Sequence, residues 1–152
     1  MALEENLDTG HSRYDAKEDA GAAGDIGADT GQFAIAVAPA CTRVVAVDVS
    51  AVMLEQLRPK VVDAGLTNIE VVQAGFLSYE PKGVAADFVY SRLALHHLPD
   101  FWKVLALDRL SRILRPGGVL RLCDVVYSFN VSEAEERIEA WCASASSESD
   151  SS

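Results

Sequence analysis

Two glycines and several carboxylates in this chain are spaced as a small-molecule site would need them. The segment Asp25-Ile26-Gly27-Ala28-Asp29-Thr30-Gly31 precedes a helical run over 32–38. Glycines there let backbone approach a bound molecule closely, and a helix start behind them offers free N–H groups. Seventeen residues past Gly31, the run R-V-V-A-V-D-V (43–49) reaches Asp48. A carboxylate ending a strand can accept two hydrogen bonds from the cis hydroxyls of a ribose. Beyond the next apolar run, Gln73–Leu77 carries Phe76, a ring that could stack on an adenine. Each feature also has a plainer use. The glycines could make an ordinary loop, Asp48 could cap the helix after Ser50, and Phe76 could belong to the core. The order of loop, helix, acid-ended strand, helix, strand and loop favours the binding use. His96 and His97 are adjacent, so both rings cannot easily meet one metal, and a metal site is rejected.

Those positions need a scaffold. Arg43–Val49 reads as a buried strand, and Ser50 opens a helix with Val52, Leu54, Leu57, Val61 and Val62 near helical spacing. Pro59 should kink or split that helix, and Gly65 should end it. Asn68–Ala74, Ala86–Ser91 and Val119–Val126 read as further strands. Asp100–Leu114 reads as a helix followed by a tight turn at Pro116-Gly117-Gly118. Ser132 with Glu135 predicts a capped helix running to about Ala143. Strands alternating with helices imply an α/β fold, a doubly wound and mostly parallel sheet covered on both faces. Ligands then bind where the strands end.

Composition narrows the function. The chain has 152 residues, mean hydropathy of +0.11 and net charge −10. Residues 1–31 hold eight acids against two bases, and 131–152 hold six against one, whereas 32–130 is close to neutral. No basic stripe exists for nucleic acid, and no apolar run reaches the roughly 18–20 residues of a membrane span. Cys41, Cys123 and Cys142 lack metal-ligand spacing, and with no signal sequence visible they fit a reducing cytoplasm. Residues 1–20 read as a flexible arm, 21–143 as the folded domain, and 144–152 as a disordered Ser-rich acidic tail.

The stretch from Asp25 to Asp124 resembles the class I S-adenosylmethionine-dependent methyltransferases, particularly their small-molecule branch. Four passages carry the resemblance: D-I-G-A-D-T-G-Q-F-A (25–34), V-V-A-V-D-V-S (44–50), D-F-V-Y-S-R-L-A-L-H-H-L (87–98) and L-R-P-G-G-V-L (114–120). It implies a Rossmann-like domain with S-adenosylmethionine as cofactor and a small molecule as methyl acceptor. By that likeness Asp25, Gly27 and Gly31 line the methionine and ribose side. Asp48 holds the ribose hydroxyls, Val49 packs near the adenine, and Gly75 and Phe76 complete that end. Ser91 faces the departing methyl, and His96 and His97 stand where the acceptor enters. No side chain is assigned a chemical step, because a sulfonium is already an activated methyl donor.

The chain departs from the family pattern at four places. Asp29 replaces a glycine, and Ala20–Gly24 is a weak first strand. Gly75 stands where the family has an acid for the adenine amino group, and the family's last two strands have no counterpart. That last point leads us to expect a partner or second copy on the open sheet edge. The alternative reading is an inactive or truncated binding domain. A nicotinamide oxidoreductase would want G-x-G-x-x-G, which residues 27–31 do not supply.

Overall fold

Ala22-Ala23-Gly24-Asp25-Ile26 has little strand propensity, yet in the computed structural model, which describes residues 21–125 and 129–149, it forms the central strand β1 (Ala22–Ile26). Pairing on both sides overrides the local preference. Residues 22–26 lie in parallel register with β2 (Arg43–Asp48), Ala22 opposite Arg43 and Ile26 opposite Val47. On the other side Ala23, Gly24 and Asp25 face Phe88, Val89 and Tyr90 of β4 (Ala86–Arg92). β3 (Ile69–Gln73) and β5 (Leu114–Cys123) complete an all-parallel sheet of order β3-β2-β1-β4-β5. The expected weak strand at Ala20–Gly24 is therefore shifted, and Asp25 belongs to the strand rather than to the loop.

Strand alternation divides the core between two faces. Val44 and Ala46 pack with Ala23 under α1 (Gln32–Val37) and α2 (Ala51–Asp63), through Ala34, Leu54, Leu57 and Val61. Val45 and Val47 pack with Ile26 and Val89 under α3 (Asp100–Ile113), through Leu110 and Ile113. Ser50 caps α2, its Oγ accepting from Met53 N at 3.3 Å. The helix ends in a Schellman motif: Gly65, at φ +66, donates to Val62 O, and Leu66 N donates to Val61 O. α2 runs unbroken through Pro59, which the sequence marks as a break. Residue 59 is exposed, so water can serve the carbonyl that the ring leaves without an N–H. α4 (Ala134–Ser149) continues past the helix end expected at Ala143, because its Ala-Ser-Glu sequence contains no glycine or proline to stop it. Residues 1–20 and 150–152 lie outside the described residues.

Asp87 ties three strands together. Its Oδ2 accepts from Ala22 N at 2.8 Å, and its Oδ1 meets Arg115 Nε in an ion pair. The expected turn at Pro116-Gly117-Gly118 lies within β5, where the register slips from Ala86 opposite Leu114 to Phe88 opposite Val119. Gly117 has φ +80 there, and a Cβ on Gly118 would come 3.1 Å from Asp87 O. Arg115 thus anchors a bulge beside β4. β5 is an edge of the sheet, with Val119 and Leu122 exposed.

The hydrogen bond from Arg115, with that from Ala22 N, holds the Asp87 carboxyl below its ordinary range. Its folded value is depressed, so its contribution is present at neutral pH and disappears as pH falls through the carboxylate range. Asp87→Ala should lower the unfolding free energy by about 1–3 kcal/mol at pH 7. Urea melts should show that gap narrowing below about pH 4. An equal gap at both pH values would rule out the ion pair as its source.

Candidate functional site

The loop after β1 is clamped onto the end of β2. Gly27 N and Ala28 N both donate to Val47 O, at 2.8 and 3.0 Å. Asp29 N donates to Asp48 Oδ2 at 2.8 Å, while Asp48 Oδ1 accepts from Ser50 N at 2.8 Å. One carboxylate therefore fixes both the loop and the entry to α2. Each oxygen keeps a second lone pair for a ligand. The binding and capping readings of Asp48 are compatible, and the side chain lines the cavity described below.

Three residues of the loop are left-handed: Gly27 at φ 80, Asp29 at φ 51 and Gly31 at φ 77. Aspartate is among the few side-chain residues that tolerate this region, which explains how Asp29 fits at a position suited to glycine. Gly31 serves packing. A Cβ there would lie 2.0 Å from Leu57 Cδ1, and Gly31 is not part of the cavity wall.

Asp25 is 2% exposed, and its Oδ2 accepts from Ala34 N at 3.1 Å. Gly31 offers α1 no side-chain cap, so Asp25 satisfies an amide of the first turn from the neighbouring strand. One amide of the helix start expected to present free N–H groups, that of Ala34, is thereby engaged. Burial pushes the Asp25 carboxyl up to about 7, and the negative charges of Asp48 and Asp29 add to the rise against the Ala34 hydrogen bond.

These groups border a cavity of about 730 Å³ at the carboxyl ends of the strands, where the order reverses between β1 and β4. Asp25, Gly27, Asp48, Val49, Gly75, Phe76 and His97 line it, as do Asp29, Met53, Tyr90 and Arg92. A Cβ on Gly75 would come 2.7 Å from Val49 Cγ1, so the acid that the resemblance implies at this position would require Val49 to turn aside.

Two expected residues are elsewhere. Ser91 is fully buried, its Oγ finds no hydrogen-bond partner among the described residues, and it does not reach the cavity. β4 ends at Arg92 rather than Ser91, so strand alternation gives the cavity wall to Tyr90 and Arg92. Extending the expected strand by one residue adds Arg92 on the same face as Tyr90. His96 also stays off the wall. Its N donates to Asp124 Oδ2 at 3.0 Å, and its Nδ1 lies 2.6 Å from Oδ1. Burial raises the Asp124 carboxyl, but hydrogen bonds from Val125 N and His96 outweigh it and keep the group below its ordinary range. The His96 ring stands 4.1 Å from that of His97, which does line the cavity.

Comparison with known proteins fits this geometry. Residues 24–118 match a family model described as a methyltransferase domain. The 27-O-demethylrifamycin SV methyltransferase of Amycolatopsis mediterranei is 31% identical over 102 residues, 66% of this chain and 37% of that protein. The demethylmenaquinone methyltransferase of Listeria monocytogenes is 32% identical over 81 residues, covering 53% and 33%. Among solved structures, the YcgJ protein of Bacillus subtilis superposes with a TM-score of 0.68 at 26% identity, over 79% of this chain and 50% of its own. The N-methyltransferase NodS of Bradyrhizobium japonicum, in complex with S-adenosylhomocysteine, shares the fold at 22% identity, with a TM-score of 0.67 over 80% of this chain and 61% of its own. The chain spans about a third of the length of those two curated relatives.

Asp48 carries two structural hydrogen bonds, so its removal should cost stability as well as any ligand contact. Asp48→Ala should destabilise the domain by about 1–2 kcal/mol. Amide exchange should accelerate at Asp29 and Ser50 and stay slow in β4. Unchanged exchange at both amides would contradict the clamp.

Proposed function

The chain belongs to the class I S-adenosylmethionine-dependent methyltransferase family, and on that premise we propose that it binds S-adenosylmethionine in this cavity and methylates a small molecule. The observation that carries the reading is the distribution of carboxylates. Asp25, Asp29 and Asp48 meet at the loop end of the cavity, while Val49, Met53 and Phe76 form an apolar wall beside Asp48. A cationic donor attached to a nucleoside has the complementary layout. The residues present therefore fit the cofactor.

Asp48 would accept the ribose hydroxyls with its free lone pairs, and Val49 and Phe76 would flank the adenine. Asp25 and Asp29 would face the positively charged methionine portion. The bound cofactor supplies a methyl group already activated on a sulfonium, so the protein contributes alignment and exclusion of water. Where the acceptor must lose a proton, His97 is the base at the cavity wall. The His96–Asp124 pair steadies the 3₁₀ turn Leu95–His97 that carries it. Both curated relatives are named as methyltransferases, which leaves the reading as an inactive scaffold without support. No helix among the described residues is long and apolar enough to cross a membrane. We place the reaction in the cytoplasm, in keeping with cysteines that form no disulfide among the described residues.

Calorimetric titration tests the proposal. S-adenosylmethionine should bind, and Asp48→Ala should weaken it roughly ten- to a hundredfold, as loss of a charge-assisted contact implies. NAD should not compete. Competition by NAD, or an affinity that Asp48→Ala leaves unchanged, would overturn the assignment.

Asp25 adds a pH test. Its folded value is raised to about 7, so its contribution to stability is present at low pH and is lost as pH rises through about 7. A cationic ligand favours the ionised form, so its binding should release a proton below that pH and tighten as pH rises from 6 to 8. Asp25→Asn should flatten the dependence. A flat profile in the parent chain would remove Asp25 from the site.

A further inference from the structure

Among the described residues, Arg92 stands out from the other half-buried arginines. Arg43 and Arg109 meet Glu70 and Glu80. Arg92 has neither an ion pair nor a hydrogen bond among the described residues, and its Nε is shut from water without a partner. Leaving a half-buried guanidinium unpaired is unfavourable unless a ligand completes it.

Its surroundings aim it at the cavity. Tyr90 and Arg92 project from the same side of β4, and the Tyr90 ring stacks on Phe33 at 4.2 Å. The next residue, Leu93, adopts φ 50, which is strained for a branched apolar side chain, while its N donates to Cys123 O at 2.8 Å. Strain of this kind persists only where its surroundings enforce it. The turn sends Ala94 back over the loop, its Cβ 2.4 Å from where a side chain on Gly27 would begin. The strand end is thus fixed in place, and Arg92 with it.

The charges lining the cavity are segregated. The acids Asp25, Asp29 and Asp48 come from the ends of β1 and β2, whereas Arg92 and His97 come from the end of β4 and the turn after it. We propose that Arg92 forms an oxyanion subsite at the β4 end, so that the methyl acceptor carries a carboxylate, phosphate or similar anionic group. The inference rests on the methyl-transfer reading for the word acceptor and on the cavity alone for the anion. A planar guanidinium matches an oxyanion with two parallel hydrogen bonds. A cationic amine in the same place would be repelled. The cofactor's own carboxylate is the other source of an anion, and the test separates the two.

Phenyl phosphate, benzoate and benzylamine are titrated into the chain saturated with S-adenosylhomocysteine. The anions should bind and benzylamine should not. Arg92→Gln should weaken the anions about tenfold or more, and Arg92→Lys, which keeps the charge but not the fork, should weaken them less. S-adenosylhomocysteine affinity and the circular dichroism spectrum should be unchanged in both variants. Should Arg92→Gln not fold, the preference of the parent chain for anions over benzylamine still decides. No anion binding, a preference for benzylamine, or anion affinity unaffected by Arg92→Gln overturns the proposal. It is also overturned if Arg92→Gln weakens S-adenosylhomocysteine but not 5′-methylthioadenosine, because Arg92 would then serve the cofactor's carboxylate. If S-adenosylhomocysteine does not bind while phenyl phosphate binding still depends on Arg92, the anion subsite stands and the cofactor reading falls.

Discussion

Everything at this site depends on how the loop Gly27–Gly31 is held against the end of β2. Val47 O takes two loop amides, and Asp48 takes a third, together with the first amide of the turn into α2. These are short hydrogen bonds at a strand end, the last two of them to a carboxylate side chain, and bonds to carboxylates count for more than those between neutral groups. They keep three left-handed residues in a fixed coil, of which Gly27 and Asp29 line the cavity. Without Asp48 a carboxyl group of the cavity wall and the clamp that shapes the loop would vanish together. On the proposed reading, binding and folding are coupled through this one side chain.

The same economy appears at Asp25. It replaces the missing cap of α1 and also sets a carboxyl inside the cavity, where burial keeps it poised near neutrality. Carboxylates cluster on one side, and a guanidinium and an imidazole stand on the other. A cavity divided in this way orients its contents before any contact is made, because each charged end of a ligand has one favourable place. Orientation is most of what methyl transfer requires of a protein.

Much of this could be read from the sequence. The parallel sheet followed from valine-rich runs alternating with helical stretches, and the acid ending β2 marked one wall of the cavity. Local chemistry misled where tertiary contacts decide. Ala22-Ala23-Gly24 looks too weak for a strand, but two neighbours complete its hydrogen bonds. Gly31 resembles a ligand-side glycine, yet Leu57 is what excludes a side chain there. Ser91 was one residue short of the strand end, and a shift of one reverses the face. Arg92 carried no local signal, since an arginine after a strand is ordinary until its lack of a partner is seen. Gly75 lacks the acid common at its position, and Val49 occupying that space could be found only in three dimensions.

A crystal structure of the chain with S-adenosylhomocysteine would test the central claim most directly. The account predicts both ribose hydroxyls within hydrogen-bonding distance of Asp48, the adenine between Val49 and Phe76, and the amides of Asp29 and Ser50 still bound to the same carboxylate. A nucleoside seated elsewhere, or an Asp48 carboxylate that meets only those two amides, would contradict it.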